Sequence, residues 1–399
     1  NLEGNGSFLM SGLSVAAPDD KTVVITSEAP NTAIPAIVTS PTLGIVNSAV
    51  VKENGGTDAE GAADSDTAEA FLNETSAGSG PYMLESFDTT TETVLVANPE
   101  YWGDAPAYDR VVLRNATAEA QLMDVQSGTA DIALDLGSDQ IAGLGGDVVV
   151  STSNSPTIFF VFLNANPEVS TVTSTPDFRE AVKYGLDFDA LLELAGDGAE
   201  RAYGIVPSSY LGALGADAAV ERDVERAKEA AARAGSNLTV DLEYASDFSS
   251  NGLSMGPFAE RIASQLAEVG ITVNLTPGPI ATTLESYRAG TEQMGLWLWN
   301  PDYPDSADYL VFGPGETVGL RAGWAAGSAP ELEAVMTEVS TETDAGARET
   351  LYQQYQELMN EQGVIVPLFQ PAASVVSTAA VGEVPYDPVF SLDIAAIGR

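Results

Sequence analysis

Between residues 238 and 299 the hydrophobic pattern switches back and forth between period two and the helical period, and no other feature narrows the possible folds as far. Leu238 to Tyr244 alternates as a strand. Phe258, Ile262, Leu266 and Val269 then fall on one helix face that Gly270 ends, and Ile271 to Leu275 alternates again. A second helix over 281–289 leads to Met294–Trp299, an apolar run of strand length. Strand, helix and strand in that order form a βαβ unit with a right-handed crossover. The chain is therefore expected to be an α/β protein.

The last of these strands runs into a dense group of functional side chains. Leu296 to Tyr309 (LWLWNPDYPDSADY) carries two indoles, two phenols and three carboxylates. Pro301 and Pro304 stop a regular ladder, so the strand ends near Asn300. In open α/β sheets ligands lie outside the carboxyl ends of the strands. Indole and phenol rings offer apolar faces with a polar tip, and a carboxylate offers a charge-assisted hydrogen bond to an ammonium. The stretch reads as a site for a small amphipathic guest. Asp302, directly after the strand and between two prolines, is the acid expected to meet it. Trp297 and Trp299 share a strand face, and each is as readily core as pocket wall. Asp305 and Asp308 are expected to be solvated loop acids or helix caps.

Composition removes whole classes of function. With 16 basic and 58 acidic residues the net charge is 16 − 58 = −42, which disfavours nucleic acid or an anionic membrane as partner. The acidity suits the solvated surface of a secreted or salt-adapted protein, or a field that gathers cationic ligands. The chain has neither Cys nor His. Thiol chemistry, disulfides, Ser-His or Cys-His catalysis and zinc sites with N or S ligands are excluded, and no cofactor is expected. Asp302, Asp305 and Asp308 are spaced by three, where a calcium loop of the EF-hand type has acids at every second residue and a Gly, so no metal is expected. Acid pairs are abundant by composition alone; a hydrolase using such a pair is the rival reading from another class. No run approaches the 18 apolar residues of a membrane span. The chain opens at Asn1 with neither a signal peptide nor a lipid-attachment Cys, as expected of a mature product or of a chain missing a front part.

Elsewhere, Asn1 to Val51 reads as short strands, with Pro30, Pro35 and Pro41 excluding a long helix, and Lys52 to Gly80 as an exposed loop with at most one short helix. Strands are expected at 82–84, 93–96, 111–113, 132–134, 148–150 and 158–163, the last apolar on both sides and so buried, with a helix over 118–126 between them. Phe178, Val182 and Leu186 mark a helix from Pro176, Arg222 to Ala234 another, and Ala345 to Asn360 a last long one. Val364 to Val366 reads as a strand, and residues 371–399 as strand and turn.

Taken together, several stretches resemble the family 5 extracellular solute-binding proteins of ABC importers, the oligopeptide- and dipeptide-binding type. They are Gly80-Pro81-Tyr82, Asn98 to Trp102 (NPEYW), Leu122 to Ile132 (LMDVQSGTADI), Asp177 to Val182 with Leu186-Asp187, Arg226 to Gly235, Gln265 to Val273 (QLAEVGITV), Trp299 to Asp308 and Val364 to Leu368. Their order and spacing over about residues 15 to 390 carry the resemblance. It implies a bilobal periplasmic-binding-protein fold of the class II type, two α/β lobes joined by a hinge, which closes on its ligand and delivers it to a permease in the membrane. The family pattern has more than a hundred further residues before the equivalent of Asn1. Residues 1–79 are accordingly expected to be a remnant of an extra subdomain, 80–165 the first lobe, 166–370 the second and 371–399 a return to the first, with crossings near 165 and 370.

The resemblance also implies roles. Asp302 matches the acid that holds the α-ammonium of a peptide. Trp299 and Asn300 match the strand end beside the ligand, with Trp297 and Tyr303 flanking it, and Phe159 and Phe160 fall where pocket aromatics are often placed. No basic residue stands clearly where some members bind the peptide carboxylate; Arg261, Arg288 and Arg321 are the nearby candidates, and Tyr101 and Trp102 are expected to be structural. The implied function is capture of a peptide, or alternatively an oligosaccharide, outside the cell or in the periplasm. Membrane tethering through a segment absent here is expected too, and a separate N-terminal fragment or another copy is expected to complete the first lobe.

Overall fold

The computed structural model describes residues 5–382, 384–387 and 389–398. Its centre is a six-stranded sheet whose spatial order is Thr272–Gly278, Thr239–Ala245, Met294–Trp299, Ile158–Leu163, Ile365–Gln370 and Glu200–Arg201. The first three strands run parallel, as the alternation of periods requires, and are joined by the helices Gly256–Ala267 and Ile280–Ala289. The remaining pairs are antiparallel. The helices cover opposite faces. Phe258, Ile262 and Leu266 pack in one core cluster with Phe159, Val161 and Leu163, while Tyr287 packs in the other with Ile158, Phe160 and Phe162. Gly290, at φ 68, takes the left-handed conformation that ends the second helix and turns the chain back toward the Met294 strand.

The strand Ile158–Leu163 corrects one expectation. Grouped by sequence with residues 80–165, it pairs with the Met294 strand on one side and the Ile365 strand on the other, and all six of its residues are fully buried. Pairing partners more than a hundred residues away decide sheet membership, and the local pattern records only that both faces are apolar.

A smaller antiparallel sheet has Ala372–Thr378 between Ile132–Ala133 and Val148–Asn154. The chain enters the large sheet from the small one through residues 155–157 and returns through Pro371. The two passages are bonded to each other. Asn154 pairs with Ala372, the Ser155 amide donates to the Pro371 carbonyl at 3.2 Å, and Gln370 Nε2 donates to the Ser155 carbonyl at 2.9 Å.

Tyr82–Phe87, Glu92–Ala97 and Arg110–Arg114 form a separate meander. Nearby Trp102, expected to be structural, is 80% exposed. In the first fifty residues only the hairpin Leu13–Asp19 with Thr22–Ser27 is strand; Ile34–Ile37 and Ser48–Glu53 are short helices, and residues 1–4 lie outside the described residues. Between 52 and 80 there are two one-turn helices, Ala62–Ser65 and Glu69–Leu72, where at most one was expected. The helix Ser48–Glu53 is capped by a local polar bond, Asn47 Oδ1 accepting from the amides of Ala49 and Val50, which hydrophobic periodicity does not register.

One acid is sealed between the sheet and the helix Ile280–Ala289. Glu292 is fully buried, accepts the Trp297 indole N–H at 2.8 Å through Oε2, and lies 3.2 Å from Ser286 Oγ, which also lies 3.1 Å from Glu243 Oε2. One hydroxyl proton cannot serve both carboxylates, so a proton on Glu292 completes the group. Burial pushes its carboxyl up to about 8. Because the folded value lies above the unfolded one, the stabilisation is full below about pH 4.5 and is lost as pH rises toward 8, at about 1.4 kcal/mol per pH unit. Urea unfolding of the native protein and of Glu292→Gln should show a difference in unfolding free energy that moves against the native protein from pH 5 to 8 and then levels off. A difference independent of pH would show that Glu292 is ionised throughout.

Candidate functional site

The Met294–Trp299 strand delivers its last residues to the edge of the core. Pro301 breaks the ladder, and after a short irregular stretch the 3-10 turn Ser306–Phe312 carries the chain back inward. Asp305 caps that turn, accepting the Ala307 amide at 2.9 Å, and meets Arg348 of the helix Ala345–Gln362 at 2.9 Å. The expectation of a helix cap describes Asp305. Asp308 is different. It is 1% exposed, not solvated, because the turn points it under Trp299, where its Oδ2 accepts the Trp299 indole N–H at 3.0 Å and the Asp302 amide at 3.1 Å. Burial pushes its carboxyl up to about 7; the two N–H donors pull the other way, and the nearby charges of Asp302 and Asp305 raise it further.

Asp302 is half-buried. Burial raises its carboxyl and the charge of Arg321 lowers it. Trp299 is also half-buried, its ring edge-on to Phe312 at 5.6 Å. Asn300 is exposed, and its Oδ1 accepts from Thr157 Oγ1 at 2.8 Å; Tyr309 donates its phenol to the Pro156 carbonyl at 2.8 Å. The stretch is thus fastened at two points to residues 155–157, where the chain passes between sheets.

Other expected site residues stand elsewhere. Phe159 stacks on Phe369 at 4.7 Å and Phe160 meets Phe312 edge-on at 5.2 Å, on opposite faces of the sheet; both are fully buried core. Trp297 is core as well, 4% exposed and stacked on Tyr287 at 4.4 Å. Tyr303 is buried with Leu9, Ala33 and Ile37. Arg321 lies over the Tyr287 ring at 5.0 Å while its charge reaches Asp302. The structure therefore brings together Trp299, Asn300, Asp302 and Arg321, and adds Asp308 and Thr157. Nothing in the spacing joins residue 157 to residue 300; antiparallel pairing of Trp299 with Ile158 does.

Two grooves lie nearby and beyond. One of about 720 Å³ runs beside Tyr303 and Ala307 and is bounded by Phe8, Glu316, Glu333 and Met336. The other, about 770 Å³, lies between the strand Arg110–Arg114 and residues Ile132, Leu134, Leu392 and Ile397.

The family model described as bacterial extracellular solute-binding proteins, family 5 Middle, matches residues 2–317. The probable D,D-dipeptide-binding periplasmic protein of Escherichia coli (strain K12) is 26% identical over 372 residues, 92% of this chain and 69% of that protein. Di/tripeptide-binding protein 2 of Pseudomonas aeruginosa (strain UCBPP-PA14) is 26% identical over 307 residues, 75% of this chain and 57% of that protein. The chain thus spans between 57% and 69% of the length of these two relatives. The crystal structure of a dipeptide-binding protein from Pseudoalteromonas sp. SM9913 in complex with Met-Leu superposes with a TM-score of 0.83 at 16% identity, covering 98% of this chain and 77% of that one. The fold is the one those binding proteins have.

Asp305 offers a test of how the stretch is held. Removing its carboxylate deletes a cap and leaves the guanidinium of Arg348, only 11% exposed, without its anion. Asp305→Ala should lower the unfolding free energy by about 2–4 kcal/mol, and Asp305→Asn, which keeps the cap, by less. Equal losses in denaturant titrations of the two variants would mean that the cap contributes nothing.

Proposed function

The chain belongs to the bacterial extracellular solute-binding proteins of family 5, and on that premise we propose that it captures a peptide or similar small amphipathic solute, without chemistry, for import by an ABC permease. Capture takes place outside the cytoplasmic membrane; no helix among the described residues is long and apolar enough to cross one. The observation that carries the reading is Asp302, a half-buried acid directly beyond the end of the Met294–Trp299 strand, with its amide held and its carboxyl raised by burial. A carboxylate that has lost water to burial gains more from an arriving ammonium than an exposed one does. Trp299 supplies an apolar face beside it, and peptides bound by the relatives and by the structural neighbour have the same cationic end.

The two bonded passages at 155–157 and 370–372 are the hinge in this reading, and ligand closes the parts they join. In this reading a separate N-terminal fragment or another copy lies along the outer edges of Arg110–Arg114 and Ile132–Ala133, which flank the 770 Å³ groove.

Calorimetry with Met-Leu and with an all-D dipeptide tests the ligand class, with their N-acetylated forms and a maltodextrin as controls. Asp302→Ala should weaken binding of the free dipeptide by about 1.5–3 kcal/mol; affinity unchanged by the substitution, or by N-acetylation, removes Asp302 from the role. Small-angle scattering should show a smaller radius of gyration with saturating dipeptide, and superimposable curves would count against closure.

A further inference from the structure

Asp308 has no assigned part in ligand capture, yet one of its oxygens organises both residues that have one. Oδ2 receives the Trp299 indole and the Asp302 amide at 3.0 and 3.1 Å, which fixes the plane of the ring and the backbone of the acid together. Oδ1 is buried and has no hydrogen-bond partner among the described residues, and the same holds for the hydroxyl of Tyr210, whose ring meets Tyr309 edge-on at 5.9 Å. A buried polar atom left without a partner is costly, so a carboxylate kept in this position calls for a reason beyond packing. An amide oxygen can also accept the two N–H groups; what only the carboxyl adds is an ionisable proton, and the free oxygen is where it would sit.

We propose that Asp308 is a positioning residue of the ligand site, its Oδ2 clamping the Trp299 indole to the Asp302 amide and its Oδ1 releasing a proton when a cationic ligand end settles at Asp302. This rests on the reading of Asp302 as the ligand acid. The groups that bear on the proton are Asp302 and Asp305 in the same stretch, Tyr303 and Tyr309 beside them, and Tyr210 from the segment after Glu200–Arg201. Of the cations on adjoining helices, Arg348 is engaged by Asp305 and Arg321 acts on Asp302. No cation is bonded to Asp308 among the described residues, so the charge of Asp302 acts on it as an unneutralised like charge, which favours its proton until a ligand cation at Asp302 relieves it. With burial holding the carboxyl near 7, the exchange falls in the neutral range.

Two measurements decide it, one needing no ligand. The indole N–H resonance of Trp299, assigned by its loss in Trp299→Phe, is followed by NMR from pH 5 to 9. It should titrate with a midpoint near 7 in the native protein, remain in place without titrating in Asp308→Asn, and move to the position of an unbonded indole in Asp308→Leu. A resonance that neither titrates nor shifts in any of the three overturns the clamp. The second is calorimetry with Met-Leu at pH 6.5 in buffers of different ionisation enthalpy. Native protein should release a fraction of a proton that Asp308→Asn does not, and Asp308→Leu should bind at least tenfold more weakly with Asp308→Asn restoring most of the loss. Equal proton release in native protein and Asp308→Asn overturns the second half of the proposal. If native protein binds no dipeptide, the ligand class fails and the indole titration still decides the clamp.

Discussion

Burial of Ile158–Leu163 from both sides is the constraint on which the rest depends. Six consecutive apolar residues, three of them Phe, cannot face water on either side without losing on the order of 1.5–3 kcal/mol for each large side chain. The strand therefore needs a neighbour on each edge and a helical layer on each face, and these come from distant parts of the chain: the Met294 and Ile365 strands flank it, and clusters built around Phe258 and around Phe312 cover it. The position of the site follows. Because the Met294 strand runs antiparallel to the Ile158 strand, its carboxyl end lies against the other's beginning, Trp299 opposite Ile158, at the place where the chain has just come across from the small sheet. The aromatic and acidic stretch is brought to the passage by strand direction alone, and the bonds from Thr157 to Asn300 and from Tyr309 to Pro156 fasten it there.

The chemistry inside this frame follows from buried acids that no cation meets. A chain with 58 acids and 16 bases leaves most of its acids without an ion-pair partner. Two of its buried acids are answered by indoles: Glu292 by Trp297 and Asp308 by Trp299, successive residues on one strand face. A neutral N–H donor satisfies an oxygen without cancelling its charge, so both carboxyls end with a raised affinity for protons, about 8 and about 7. The ion pairs that the chain does form lie mainly on exposed helix faces, such as Arg233 with Asp177 and Glu180, where they contribute little.

What the sequence disclosed was what local periodicity encodes. The parallel strands with their two helices, the buried run at 158–163 and the end of the strand at Asn300 are all functions of neighbouring residues, and so was the resemblance that pointed to the family. What it concealed depends on side-chain direction or on distant pairing. Phe159 and Phe160 look like pocket aromatics until the helix layers close over both faces. Trp297 and Trp299 are indistinguishable by pattern, yet one ends in the core and the other at its margin because the strand ends at Trp299. Asp308 carries the same label as Asp305 in sequence, and only the inward path of a seven-residue 3-10 turn separates a buried carboxylate from a cap.

The paired passages between the sheets have a mechanical consequence. Two strands bonded edge to edge form a thin plate. It flexes across its face, where only torsion angles change, and resists shear in its plane, where the bonds between Asn154 and Ala372 and between Gln370 and Ser155 would have to slip. Each strand also carries a proline at the middle of the passage, Pro156 in one and Pro371 in the other, whose rings lock φ. The rotations left are the few at Ser155, Thr157, Gln370 and Ala372 and the ψ of the two prolines, and on the proposed reading of these passages as a hinge the joint bends most readily across the face of the plate.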